Sequence, residues 1–194
     1  YGTMSVEALI AEAKGKKLDA LALTDINCTA GIFPFIRAAQ QSGIHPVVGI
    51  DFRNGVQQQY VGLARNQEGF FELNEHLSEH LIHKREFKPR APEFEHSFII
   101  YPFSEKAFPL RENEFIGVHP GQLNKLLTSP WYRKKEKLVL LQPATFSSKL
   151  EFNAHRLLRS MDLNTLLSKL SHEEQADPSD QFYSYADLIS RCEN

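Results

Sequence analysis

The sequence is poor in cysteine, in long apolar runs and in charge excess of either sign. Its 194 residues include only two cysteines, Cys28 and Cys192, which lie far apart in the chain. A disulfide framework is therefore not expected, and the composition fits a reduced, cytoplasmic setting. No apolar run reaches the roughly 18 residues of a membrane-spanning helix, so we expect no membrane association. With 22 Lys+Arg against 24 Asp+Glu, the surface as a whole should not attract nucleic acid.

Signature motifs of several enzyme classes are also missing. The sequence contains no Walker loop, no Gly-x-Gly-x-x-Gly after a strand and no Gly-x-Ser-x-Gly elbow. Cys28 has no identifiable histidine partner, and we interpret it as a structural residue. What the sequence does have is 42% hydrophobic and 11% aromatic residues, which is enough for the core of a domain of this length.

Short apolar runs alternate with helical patterns along the chain. This alternation favours parallel βαβ units in an α/β layer or barrel, in which ligands usually lie beyond the carboxyl ends of the strands. The predicted strands are 19–24, 45–52, 60–64, 97–101, 115–119 and 137–142. Helices are predicted after Ser5 and Thr29 and over 68–84, 121–127, 151–170 and 182–192, with loops over 85–95 and 171–181.

One local pattern matches a metal-binding motif. His76, Glu79 and His80 have the His-x-x-Glu-His spacing of inverted zinc peptidases, and His83 follows on the same predicted helix. A catalytic zinc site also needs a ligand from a downstream helix, and the sequence offers no clear one. We therefore interpret these residues as a solvated face of the helix.

Two carboxylates follow predicted strands. Asp25 comes directly after the apolar run 20–24, and Asp51 closes the run 47–50. Both are expected to project from strand carboxyl ends, where many α/β proteins hold metal ions or phosphates. Helix capping and loop hydrogen bonds are the alternative for an Asp in this position, and the spacing alone leaves both open.

Several segments resemble a known family. The stretch 20–33, ALALTDINCTAGIF, resembles the second motif of the PHP (polymerase and histidinol phosphatase) domain, and 46–51, PVVGID, resembles the strand that follows it. The stretches 1–5 and 150–170 are similar to the PHP region of bacterial DNA polymerase III alpha subunits. The resemblance implies an α/β fold, a distorted (β/α)7 barrel of the PHP type. It implies a PHP domain over 1–170, a polar linker over 171–181 and the truncated start of a polymerase region over 182–194.

Active members of this family hold up to three divalent metal ions and hydrolyse phosphoesters. Their opening His-x-His-Ser motif is not in this sequence, the histidine of their Thr-Asp-His motif is Ile26, and Asp51 stands where a glutamate is usual. The segment 143–146 replaces an Asp-x-His motif. The resemblance thus implies a degenerate domain with no bound metal and no catalytic or cofactor-binding residues. Asp25 and Asp51 are remnant ligand positions, and His119, after a predicted strand, is one further candidate.

The implied function is that of an N-terminal PHP domain of a replicative DNA polymerase alpha subunit. Such a fragment would be inactive alone and would serve as a structural and subunit-docking domain in DNA replication. Its partners would be the remainder of the alpha subunit and a proofreading exonuclease subunit, with DNA reached only through the full polymerase. Phe182, Tyr183 and Tyr185 are candidate contact residues.

Two alternatives stay open. The first is a metal-dependent phosphoesterase or 3′–5′ proofreading exonuclease that uses Asp25, Asp51 and His119, completed by histidines upstream of this sequence. The second is a DNA-binding module on the last long helix, although a solvated helix face explains the same charges. Its basic residues are Arg156, Arg159 and Lys169.

Overall fold

The computed structural model describes residues 2–193 of the chain, and over that range the fold is mixed α/β. No helix within these residues combines the length and the apolar composition that a bilayer crossing requires. The helices are α1 (Val6–Gly15), α2 (Ile32–Gln41), α3 (Gln67–His83), α4 (Leu123–Leu127), α5 (Lys149–Asp162) and α6 (Tyr185–Glu193). The strands are β1 (Ala20–Ile26), β2 (His45–Asn54), β3 (Gln57–Ala64), β4 (Ser97–Pro102), β5 (Glu114–Val118) and β6 (Leu138–Leu140).

All six predicted strands occur, and they form one sheet in chain order, β1 to β6. β4, β5 and β6 are parallel, as expected, whereas β3 is antiparallel to both of its neighbours. The expectation of parallel units is wrong at β3 because the two-residue turn Gly55-Val56 is too short for a parallel crossover. Gly55 has φ +59°, which glycine adopts without strain. Within residues 2–193 the sheet curls as half a barrel, and a (β/α)7 count is not confirmed.

Several element boundaries differ from those predicted from the sequence. β2 continues to Asn54, beyond its predicted end. α5 ends at Asp162, well before its predicted end, because Asn164 takes a left-handed conformation with φ +47°. The N–H of Thr165 then donates to the carbonyl oxygen of Ser160 at 2.9 Å, a bond typical of helix C-termini that end in such a residue.

The chain folds into two compact units. The first unit comprises 1–21, 34–45 and 142–194, and the second comprises 22–33 and 46–141. The second unit contains a cluster of fully buried apolar side chains from β2, β3, β5, α3 and the segment before β6. Its least exposed members include Ile50, Phe52, Tyr60, Leu73, Ile116 and Trp131.

In the second unit, α3 packs closely against the chain that enters β4. The helix begins after Asn66, whose Oδ1 accepts the N–H of Gly69 at 2.9 Å. A Cβ atom at Gly69 would lie 2.0 Å from the carbonyl oxygen of His96, so only glycine permits this approach. Glu72, one turn further, accepts the N–H groups of Glu95 and His96, each at 3.1 Å. These contacts fix the helix on the strand entry.

In the first unit, α5 buries polar rather than apolar side chains. His155 is 1% exposed, and its Nε2 accepts the N–H of Ala176 at 2.9 Å. Arg159 donates through Nε to the carbonyl oxygen of Glu174 at 2.9 Å. The predicted linker 171–181 thus packs on α5 over part of its length. The bounds of the PHP domain, the linker and the polymerase region remain predictions.

Candidate functional site

The two carboxylates singled out in the sequence lie on neighbouring strands of the second unit. Asp25 is the penultimate residue of β1 and is half-buried, whereas Asp51 lies inside β2 and is 6% exposed. The expectation that Asp51 projects from the carboxyl end of its strand is wrong, because β2 continues to Asn54. The backbone N–H of Asn27 donates to the carbonyl oxygen of Asp51 at 3.0 Å, which joins the end of β1 to β2.

The carboxylate of Asp51 is fully engaged by protein donors. Its Oδ2 accepts from Arg53, through Nε at 2.9 Å and through a terminal guanidinium nitrogen at 2.6 Å. Its Oδ1 accepts from Nε2 of Gln58 at 2.9 Å. Residues two apart on a strand share a face, so the spacing of Asp51 and Arg53 places the guanidinium beside the carboxylate.

A β-bulge brings Gln58 to this carboxylate. The antiparallel register of β2 and β3 pairs Phe52 with Tyr60 but Arg53 with Gln58, which leaves Gln59 as the extra residue. Because one extra residue reverses the face of the side chains that follow it, Gln58 rather than Gln59 lies on the face of Asp51. The bulge therefore completes the set of donors.

Asn27 closes the same region from β1. Its side chain pairs with the backbone of Arg53, donating from Nδ2 to the carbonyl oxygen at 2.8 Å and accepting the N–H at 2.9 Å. Asn27 has φ +47°, a conformation that Asn tolerates better than most residues. Sequence reasoning missed Asn27, Arg53 and Gln58, although the Asp-x-Arg spacing on a predicted strand is a signal that could have found Arg53.

Asp25 has different surroundings. Burial raises the pKa of its carboxyl group from the ordinary value. A Cβ atom at Gly31 would lie 3.0 Å from Oδ2 of Asp25, so the glycine leaves space for this side chain. The next residue, Ile26, ends β1 and is half-buried, and its side chain has no donor atom for a metal.

His119 does not follow a strand that neighbours those of Asp25 and Asp51. It follows β5, which β3 and β4 separate from β2 in the sheet. Its backbone N–H donates to Oε1 of Gln122 at 3.0 Å, and the 3-10 turn Pro120–Gln122 begins directly after it. This is the geometry of a helix entry, which explains a histidine followed by proline.

The His-x-x-Glu-His motif lies on α3, and part of it packs in the core. Nε2 of His76 lies 2.8 Å from the hydroxyl oxygen of Tyr60, and its ring meets that of Phe94 at 5.5 Å between centroids. The ring of His80 stacks on Phe87 at 4.6 Å. The interpretation of this motif as a solvated face is therefore wrong for His76, which faces an aromatic cluster.

The ionisation of His76 fits this packing. Burial, with a smaller contribution from neighbouring His80, lowers the pKa of the His76 imidazole to about 4. Glu79, by contrast, is exposed and forms an ion pair with Arg85 at 3.2 Å. The two histidines thus have aromatic neighbours, and the carboxylate between them points to solvent.

The remaining candidates are mostly held by local contacts. Arg156 donates through Nε to Oε1 of Gln175 at 2.8 Å, and Lys169 is exposed. Phe182 is buried and Tyr185 is exposed. The guanidinium carbon of Arg191 lies 4.0 Å from the centroid of the Tyr183 ring. Cys28 is exposed and forms no disulfide, and Phe146 of the segment 143–146 is fully buried.

Comparison with known proteins identifies the class of protein. The PHP domain family matches residues 1–139, which is more than half of the chain, and the chain therefore belongs to that family, as the sequence motifs predict. Among curated proteins it is similar to the DNA polymerase III subunit alpha of Halalkalibacterium halodurans, with 33% identity over 76 residues. That match spans 37% of this chain and only 6% of the relative's length.

The candidate metal ligands among the described residues do not form a cluster. Within residues 2–193, no three His, Cys, Asp or Glu side chains converge in a way that could hold an ion. Asp51 already accepts three hydrogen bonds, and Ile26, which the resemblance aligns with a histidine of the family motif, has no donor atom. A multi-metal centre needs several such ligands at once, and these residues do not form one by themselves.

Proposed function

We propose that this chain is the N-terminal PHP domain of a replicative DNA polymerase III alpha subunit. In this proposal it acts as a structural and subunit-docking domain in DNA replication rather than as a phosphoesterase. The observation that supports it best is the pairing of the remnant ligand Asp51 with Arg53, whose guanidinium lies 2.6 Å from the carboxylate. A cation of the protein itself thus takes the role that a metal ion has in active relatives.

The energy of this pair opposes metal binding. A cation that used Asp51 would have to displace hydrogen bonds to charged groups, which contribute about 1.5–3 kcal/mol each. It would also leave the Arg53 side chain, which is 18% exposed, beside a second positive charge. One remaining carboxylate, Asp25, is too little to offset this cost, since clusters of divalent ions depend on several ligands.

Metal analysis of the purified chain and of the intact alpha subunit tests this proposal. We expect no stoichiometric Mn²⁺ or Zn²⁺ by elemental analysis after dialysis. Hydrolysis of a phosphate monoester and of a single-stranded oligonucleotide should proceed at the same background rate in wild type and in Asp25→Ala. Two or more tightly held ions, or hydrolysis that Asp25→Ala abolishes, would establish the phosphoesterase or exonuclease alternative instead.

The docking role is supported by the outer face of α5. Leu150, Leu157, Leu158 and Met161 are 52–79% exposed, although they are more apolar than the residues that the helix buries. Apolar side chains grouped in this way mark interaction surfaces. The relative extends far beyond the part that matches, and we assign this face to the polymerase region of the same alpha subunit, with the proofreading exonuclease subunit as a further partner.

A pair of matched variants tests this docking face. The separately purified polymerase region should co-elute with the wild-type chain in size-exclusion chromatography and fail to do so with Leu157→Lys/Met161→Lys. The control is Leu81→Lys/Ile82→Lys, which places the same charges on an equally exposed apolar pair of α3. Equal co-elution of all three chains would assign the partner to a different surface.

A further inference from the structure

A dense group of positive charges lies in the second unit, between β5 and β6. The segment 125–137, here called the basic turn, contains five basic residues and one acidic residue, whereas acidic residues outnumber basic ones 23 to 17 in the rest of the chain. It includes the end of α4 and the 3-10 turn Pro130–Arg133. The charges are Lys125, Arg133, Lys134, Lys135, Lys137 and the opposing Glu136.

The basic turn is anchored in the core and is not a loose loop. Trp131 is fully buried, and its Nε1 donates to the carbonyl oxygen of Ser104 at 2.8 Å. Its ring meets that of Phe108 edge-on at 5.5 Å. Lys137 donates to two backbone carbonyl oxygens, at 2.7 and 2.8 Å. The residues between these two anchors, 132–136, are all exposed, so a fixed scaffold presents them to solvent.

Within the part of the chain that the structure describes, the exposed cations of the basic turn have no acidic partner. Among residues 2–193, no ion pair within 4.0 Å includes Lys125, Arg133, Lys134 or Lys135. Lys134 and Lys135 instead lie over the rings of Trp131 and Tyr132, at 5.6 and 5.3 Å. Such contacts contribute about 0.5–1 kcal/mol at exposed sites, which orders the side chains without removing their charge.

An open depression adjoins these charges. It has a volume of about 620 Å³ and is lined by Thr128, Pro130, Tyr132 and Arg133, among others. Tyr132 is 43% exposed. Exposed cations grouped on a fixed surface are typical of proteins that bind nucleic acids, where they contact the phosphates. Lysine is depleted at protein–protein interfaces, which argues against an acidic protein as the occupant.

We propose that the basic turn binds the phosphate backbone of DNA. The surface follows from the charges and their scaffold, whereas the choice of DNA over other polyanions rests on the proposed function. Association would be independent of base sequence, because point charges on lysines read phosphates and not base edges. The domain would then hold DNA directly, in addition to any DNA held by the polymerase region.

Fluorescence anisotropy with a labelled DNA duplex tests this site in the full chain. Arg133→Gln/Lys134→Gln/Lys135→Gln should weaken binding about tenfold or more at low salt. It should also reduce the slope of log K against log salt by about two to three, since each duplex phosphate contact contributes about 0.9. The control, Lys84→Gln/Arg85→Gln/Lys88→Gln, removes the same charge from another exposed segment of the second unit and should bind nearly as wild type.

Three outcomes would overturn the proposal. Equal weakening of DNA binding in both triple variants would show that net charge alone governs binding. If the wild-type chain did not bind the duplex at low salt, the basic turn would not be a DNA-binding site. Displacement of DNA by polyglutamate of equal charge at equal concentration would indicate an acidic protein partner. None of these outcomes bears on metal content or on α5, so the proposed function is tested separately. Circular dichroism of each variant confirms that it is folded.

Discussion

Two buried carboxylates of the second unit have similar surroundings, although only one of them attracts attention in the sequence. Asp51 accepts from Arg53 and one further side chain, and it is 6% exposed. Glu114, at the start of β5, is fully buried and accepts from Arg90 at 2.8 Å and from the backbone and side chain of Arg111 at 2.7 and 3.0 Å. Both oxygens of each carboxylate are used.

The comparison separates the position of a residue from its role. The family resemblance aligns Asp51 with a metal ligand and gives Glu114 no such role, yet an arginine pairs with each carboxylate. Like Asp51, Glu114 also accepts a hydrogen bond from a side chain other than arginine, since the hydroxyl of Tyr101 donates to it at 2.8 Å. Burial, together with this bond, raises the pKa of Tyr101. A carboxylate in this state holds neighbouring elements together. We infer that Asp51 has a structural role like that of Glu114.

The largest effect is expected at Glu114. Glu114→Ala should lower the free energy of unfolding by about 3 kcal/mol, because the buried hydroxyl of Tyr101 loses its acceptor and two arginines, whose side chains are 33–39% exposed, lose their anionic partner. Urea titration followed by fluorescence measures this in the second unit, since Trp131 is the one tryptophan and is fully buried there. Glu112→Ala, at an exposed site two residues away, is the control. A difference below about 1 kcal/mol between the two variants would contradict a structural role.

A smaller loss is expected at Asp51. Asp51→Asn keeps the shape of the side chain but removes its charge, and we expect a loss of about 2 kcal/mol, in the range of hydrogen bonds to charged groups. A double-mutant cycle of Asp51→Ala with Arg53→Ala should give a coupling energy of about 1–2 kcal/mol. Additive single effects would mean that the pair is not coupled, and the comparison with Glu114 would then fail.

His76 gives a pH-dependent effect. Its pKa of about 4 in the folded chain lies below that of an unfolded histidine, near 6.5. The unfolded state therefore binds the proton first, and stability should fall as pH decreases from about 6.5 to about 4. His76→Phe should flatten this part of the pH profile, whereas His83→Phe, at an exposed site, should not. An imidazole titration by NMR with a midpoint near 6.5 would show that His76 is not protected.

Much of the fold could be predicted from the sequence, because apolar runs and helix signals are local. All six predicted strands occur, although several of their bounds differ. The direction of β3 was missed because it depends on the turn at Gly55, and the end of α5 was missed because it depends on the left-handed Asn164. Both are single-residue backbone states, which hydrophobic periodicity does not report.

The site was less predictable, because the important partners are set by register. Asp25 and Asp51 were identified by their places after apolar runs, but Gln58 reaches Asp51 only through a bulge, and Asn27 only through its left-handed backbone. Glu114 was missed for a similar reason, since Arg90 lies 24 residues away in the chain. Long-range pairs of this kind leave no spacing signal in a single sequence.

The smallest effect is expected at Asp25, and its sign is opposite to that at Asp51. Burial raises the pKa of Asp25 in the folded chain, so stability is lost as pH rises from the unfolded pKa through the folded one. At pH 7 the charge opposes folding, and Asp25→Asn should leave stability unchanged or raise it by no more than about 0.5 kcal/mol. Below both pKa values the difference should disappear. Urea titrations at pH 7 and pH 3 measure it. If Asp25→Asn lowered the free energy of unfolding at pH 7 as much as Asp51→Asn does, Asp25 would also have a cationic partner. The contrast between Asp51, which pairs with an arginine, and Asp25, which does not, would then be wrong.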